Sequence, residues 1–130
     1  MEDIRWKQRM QNFEKALRLL NEACALSNAS MLEMEGTIQR FEFTFELAWK
    51  TMKDFLNEKG VTVSYPREVI KTSFQESLIF DGDIWMQMLD SRNELTHVYD
   101  ENKFKDHYQK IKMVFLIQLN SFNEKLNSLI

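Results

Sequence analysis

Residues 30–60, SMLEMEGTIQRFEFTFELAWKTMKDFLNEKG, decide the fold class. Ile38, Phe41, Phe45, Ala48, Trp49, Met52, Phe55 and Leu56 fall within an arc of about 120° on a helical wheel. That spacing predicts one long amphipathic helix with its apolar side against a core. Ser30, with Glu33 three residues on, makes a capping box at its start. Gly60 supplies a left-handed terminus. Glu46 and Lys50 form an i,i+4 pair on the other side. Phe43 and Leu47 lie outside the main arc and point to a second contact surface.

On the N-terminal side the pattern predicts a first helix from about Asp3 to Ser27, with Ile4, Phe13, Leu17, Leu20 and Cys24 on one side, broken by Asn28-Ala29-Ser30. On the C-terminal side, Val61-Thr62-Val63-Ser64-Tyr65 is extended and too short for a sheet of its own. Pro66 suits the first turn of a short third helix carrying Val69, Ile70, Phe74 and Leu78. Asp81-Gly82-Asp83 reads as a turn and a cap. A fourth helix then carries Ile84, Trp85, Met88, Leu89 and Leu95. Asp100 and Glu101 favour a new helix N-terminus. The fifth helix places Phe104, Tyr108, Ile111, Phe115, Leu119, Phe122, Leu126 and Leu129 in a stripe about 80° wide. Four long amphipathic helices and one short one, joined by brief turns, predict an all-α, up-and-down four-helix bundle with an extra short helix.

Composition agrees. The chain has 130 residues, ten Phe, three Gly and one Pro, which fits a single domain over residues 1–130 built from few long elements. The apolar outliers Phe43, Leu47, Met113, Leu116 and Ile117, with Met86 beside them, predict an outer face covered in a homodimer. No run of about 18 apolar residues exists, so no membrane span is expected. Glu2, Asp3, Arg5, Lys7 and Arg9 do not read as a secretory signal. Cys24 stands alone, so no internal disulfide and no C-x-x-C metal pair is expected, and a reducing cytoplasm is the expected compartment. The net charge of −3 disfavours non-specific coating of nucleic acid. A local patch of Arg92 with Lys103, Lys105, Lys110 and Lys112 is the candidate for RNA contact, although most of these lysines read as a solvated helix face.

Arg92-Asn93-Glu94-Leu95-Thr96-His97-Val98-Tyr99 carries the chemistry. It reads R-x4-H-x-Y, placing a fixed cation, an imidazole and a phenol within eight residues. Metal-free RNA cleavage needs a base for the 2′-hydroxyl proton, an acid for the leaving oxygen and positive charge on the transition state. Imidazole, with a reference pKa of about 6.5, serves as base or acid. Arginine offers phosphate a rigid fork of donors. Asp90, Asn93 and His97 share one helix face. Arg92 lies between Trp85 and Met88 on the apolar side, about 140° from His97 on a regular helix. Two readings stay open. Either Arg92 is a core-edge residue that snorkels or pairs with Glu42 or Glu46, or the helix ends near Thr96 and the two groups meet, within one subunit or across a dimer. A dimer would also bring two copies of His97 to one cleft. Asn93 is placed to orient substrate or imidazole, and Asp90 to hold the His97 tautomer. His107 reads as a solvated residue. No paired-histidine metal spacing and no Gly-rich phosphate loop occurs, so no metal or cofactor is expected.

Three blocks resemble a known family: Phe41-Glu42-Phe43-Thr44-Phe45-Glu46-Leu47-Ala48-Trp49-Lys50, Tyr65-Pro66-Arg67-Glu68-Val69 with Trp85, and Arg92 through Asp100. Together they make the chain similar, over nearly its whole length, to the HEPN-domain proteins described as nucleotidyltransferase substrate-binding proteins. The resemblance implies a HEPN-like dimeric bundle that works beside a separate minimal nucleotidyltransferase. It implies either a substrate- or nucleotide-binding subunit, or a metal-independent ribonuclease toxin whose nucleotidyltransferase antitoxin transfers AMP to the tyrosine of the motif. On this chain Arg92 and His97 would be the catalytic pair, Asn93 their polar neighbour and Tyr99 the AMP acceptor, with RNA or a nucleotide in the dimer cleft.

Overall fold

The computed structural model describes residues 3–97 and 100–130, and these contain helices and no strand. The helices are α1 (Asp3–Cys24), α2 (Met31–Glu58), α3 (Pro66–Gln75), α4 (Gly82–Leu95), α5 (Glu101–Lys110) and α6 (Leu116–Ser128). A π turn, Ile111–Phe115, joins α5 to α6 without a break. The fold class is all-α, as the periodicity predicts.

Local chemistry sets the boundaries. The Ser30 hydroxyl accepts the Glu33 N–H at 3.1 Å, and the Ser30 N–H donates to the Glu33 carboxylate at 2.8 Å. These bonds satisfy donors that a helix start leaves orphaned. At the other end Gly60 takes φ +85°. The Val61 N–H reaches the Leu56 carbonyl at 2.9 Å and the Gly60 N–H reaches Asn57 at 3.1 Å, the paired bonds of a Schellman terminus. Helix α3 begins at Pro66 and ends the same way, but with Ser77 rather than glycine in the left-handed region, at φ 62°. Asp81 caps α4 by accepting from the Ile84 N–H, and Asp100 caps α5 by accepting from Asn102 and Lys103.

Contacts at opposite ends of each pair fix the directions. Arg9 binds Asp54 at 2.9 Å and Arg40 donates to the Leu19 carbonyl, so α1 and α2 run antiparallel. Asn21 and Asn120 exchange amide hydrogen bonds at 3.0 and 3.1 Å, and Lys112 donates to the Leu26 carbonyl, so the α5–α6 rod runs antiparallel to α1. Ser91 meets His107 while Trp85 meets Phe122, so α4 opposes the same rod. Arg67 meets Asp90 while Phe74 lies against Gly82, so α3 opposes α4. Helices α1, α2, α4 and α5–α6 therefore go up, down, up and down, and α3 is the short extra helix.

A column of buried aromatic rings crosses the core. Phe13, Phe122, Trp85, Phe45, Phe41 and Phe115 follow one another with centroid separations from 5.5 to 6.2 Å. They come from α1, α6, α4, α2 and the π turn, so one run of ring contacts unites all four long rods.

Several positions differ from the periodic reading. Helix α1 stops at Cys24 because the chain turns at Asn28, which takes φ 56°. Its buried stripe is Trp6, Met10, Phe13, Leu17, Leu20 and Cys24. Ile4 stays half exposed, since two residues of helix place it about 200° from Trp6. Phe74 is also half exposed and packs on Gly82 rather than in the core. Leu129 follows the last turn of α6 and is exposed. The fifth rod is interrupted by the π turn, where the Leu116 N–H bonds to Ile111. Phe43, Met113 and Ile117 face outward, while Leu47, Leu116 and Met86 are half-buried against the core. Among the described residues no helix is long and apolar enough to cross a membrane.

Candidate functional site at the end of α4

Helix α4 packs Trp85, Met88 and Leu89 inward, and that register carries Arg92 to the seam with α2. Its Nη1 lies 3.2 Å from Glu46 Oε2, and its guanidinium carbon lies 5.9 Å from the Phe45 ring centre. Glu46 is a hub. Its Oε2 also accepts the Trp49 indole N–H at 3.0 Å, and its Oε1 lies 3.3 Å from Lys50 Nζ. Of the two sequence readings, pairing with an α2 carboxylate describes Arg92 within the subunit. The side chain is still 27% exposed, so part of the cation reaches solvent. Its Nε is buried with no hydrogen-bond partner among the described residues. Glu42 lies one turn before Glu46. Burial pushes its carboxyl above the ordinary range, and the nearby Arg92 charge draws it partly back.

His97 is exposed on the turn that follows α4, and its backbone N–H donates to the Glu94 carbonyl at 2.9 Å. The Thr96 hydroxyl donates to the Asn93 carbonyl at 2.9 Å, tightening the same turn. Asn93 is exposed. Asp90 pairs with Arg67 of α3 at 3.1 Å, so its described partner is that guanidinium rather than the His97 ring. Tyr99 lies outside the described residues. Of the basic patch, Lys105 pairs with Glu101, and Lys112 donates to Leu26 and lies over the Tyr108 ring. Among the described residues no cluster of His, Cys, Asp and Glu is arranged to hold a metal ion.

One residue departs from its sequence reading. His107 is not a solvated residue. Its side chain is 11% exposed, its Nδ1 lies 2.6 Å from the buried Ser91 hydroxyl, and its Nε2 lies 3.6 Å from Glu94 Oε1. The available signal is its wheel position, only about 40° beyond the edge of the apolar stripe.

Arg92 is thus a partly exposed guanidinium braced by a carboxylate and a ring at the α2 seam, while the polar Asn93 and the His97 imidazole lie exposed, and no hydrogen bond joins Arg92 to His97 among the described residues. The family described as nucleotidyltransferase substrate binding protein like matches residues 8–128, a span that includes the whole R-x4-H-x-Y run and nearly all of the bundle. The chain belongs to this family. A curated relative, "Probable ribonuclease HepT" of Haemophilus influenzae, is 32% identical over 96 residues, which cover 70% of this chain and 65% of that protein's length. Two solved structures share the bundle. A Thermus thermophilus protein matches with TM-score 0.76 and 29% identity over 89% of this chain and 96% of its own. A Haemophilus influenzae protein, whose structure is described as revealing the fold of a substrate binding domain of a nucleotidyltransferase, matches with TM-score 0.68 and 24% identity over 98% and 99%. The last similarity concerns the fold alone. For a substrate-binding-protein-like chain, the end of α4 is where the sequence motif and the unusual local chemistry coincide.

Proposed function

We propose that this chain is a HEPN-type, metal-independent endoribonuclease that acts as a toxin beside a separate minimal nucleotidyltransferase, which silences it by transferring AMP to Tyr99. The observation that carries the reading is the intact R-x4-H-x-Y run of the sequence, which starts in the last turn of α4 at Arg92, in a chain related to a protein named as a probable ribonuclease. The family's description supports the nucleotidyltransferase partner.

In this reading the His97 imidazole takes the proton of a ribose 2′-hydroxyl. The 2′-oxygen bonds to the adjacent phosphorus and the bond to the 5′-oxygen breaks. The leaving oxygen takes its proton from the imidazolium of a second His97, supplied by a two-fold dimer. The products are a 2′,3′-cyclic phosphate and a 5′-hydroxyl. Arg92, braced by Glu46 and Phe45, donates to the non-bridging oxygens as negative charge builds there. Asn93 orients the substrate phosphate. In the silencing step the Tyr99 phenol oxygen attacks the α-phosphorus of a nucleoside triphosphate and pyrophosphate leaves. The phosphodiester adds bulk and negative charge two residues from His97, which opposes an incoming RNA phosphate.

A second reading, a non-catalytic substrate- or nucleotide-binding subunit of a two-component nucleotidyltransferase, draws on the family's description and on the engagement of Arg92 by Glu46. Incubating the purified chain and its Arg92→Ala variant with single-stranded RNA separates the two. Cleavage by the first and none by a folded variant supports the ribonuclease. No cleavage by either, with a stable complex with the nucleotidyltransferase, supports the binding subunit.

A further inference from the structure

His107 contacts the last two turns of α4, just before the turn that carries His97. Its ring stands on α5 and reaches back to α4. Nδ1 meets the Ser91 hydroxyl at 2.6 Å and Nε2 stands 3.6 Å from Glu94 Oε1. Ser91 and Glu94 bracket Arg92 and Asn93 in sequence. The carbonyl of that same Glu94 accepts the His97 N–H. One imidazole thus joins the helix before the motif turn to the helix after it.

The three groups have the composition of a hydrolytic triad, but burial rules that role out. Ser91 is 5% exposed, so no substrate reaches its hydroxyl. The geometry fits a clasp instead. When Nδ1 accepts the Ser91 hydroxyl proton, the ring proton resides on Nε2 and points toward the Glu94 carboxylate. At 3.6 Å that second contact is too long for a hydrogen bond, and with the ring neutral it is a charge–dipole contact between the Nε2–H and the Glu94 carboxylate. The short Ser91 contact is buried, so its loss leaves polar groups unpaired.

We infer that His107 is a positioning residue: the Ser91–His107–Glu94 clasp fixes the last turn of α4 and so sets where His97 leaves the helix. Its effect on catalysis rests on the ribonuclease reading, whereas its effect on the turn does not.

The test uses the full chain and three variants. His107→Ala removes the clasp, Ser91→Ala removes only the hydroxyl, and His107→Asn keeps a polar atom near the position of Nδ1. Backbone amide exchange is measured along the chain. Loss of a buried hydrogen bond predicts roughly tenfold faster exchange at residues 93–97 in the two alanine variants, unchanged exchange in α1, and partial rescue by His107→Asn. RNA cleavage is measured alongside. Misplacement of His97 predicts a kcat fall of up to about a hundredfold with KM little changed. Unchanged exchange at 93–97 overturns the clasp. Faster exchange with unchanged kcat in an active enzyme overturns the positioning role. If the parent chain cleaves no RNA, the ribonuclease reading fails and amide exchange alone decides the clasp.

Discussion

Arg92 shows how far single residues can be read. Its wheel position beside Trp85 and Met88 places it at the core edge. Glu42 and Glu46, one turn apart on α2, are equal candidates for its partner on the sequence alone. Only the register between α2 and α4, set by ring contacts such as Phe45 with Trp85, selects Glu46. His107 escapes such a reading because a wheel treats a position just outside the stripe as wet, whereas α4 covers that rim. An Arg92→Ala chain should stay folded, losing only about 0–1 kcal/mol in urea unfolding, because the pair is partly exposed and Glu46 keeps Trp49 and Lys50. Cys24 gives a second test. Burial pushes its thiol from 9.0 up to about 11, against a smaller opposing pull from Lys112. Above pH 9 the unfolded chain gains the thiolate first, so stability falls as pH rises from 9 toward 11. Tyr108 is also raised by burial and titrates in the alkaline range. Denaturation of Cys24→Ala beside the parent removes the thiol and the part of the Tyr108 shift that the Cys24 charge causes, and the variant should lose less stability across that window.

Among the elements, helix starts are the most legible parts. Ser30 with Glu33, Pro66, Asp81 and Asp100 each supply the chemistry that a first turn needs, and each stands where a helix begins. Ser30→Ala should destabilise the fold by about 1 kcal/mol, read from the midpoint of chemical denaturation at unchanged slope. The end of α3 is less legible, since Ser77 carries no glycine signal. Its φ of 62° belongs to a region that L side chains resist, so Ser77→Gly should stabilise by about 1 kcal/mol in the same experiment. The π turn leaves no mark on the pattern. The apolar positions of the fifth rod keep a narrow stripe on a regular α-helical wheel, and periodicity alone cannot register one widened turn.

For the whole molecule, the four-rod architecture is legible because amphipathic stripes and short turns leave few other ways to bury so many aromatic side chains. A cleft around R-x4-H is not legible in one chain, because in the proposed reading it takes a second subunit to complete it. We propose that Phe43, Met113 and Ile117, all more than 60% exposed, are covered in a homodimer. Phe43→Glu with Ile117→Glu should then shift sedimentation from dimer to monomer and abolish cleavage without unfolding the bundle. The decisive measurement is RNA cleavage by the purified chain in excess chelator, beside a His97→Ala variant with the same helical signal and unfolding midpoint. The prediction is cleavage leaving 2′,3′-cyclic phosphate ends by the parent and none by the variant. Equal cleavage by both, or none by a dimeric parent, would contradict it.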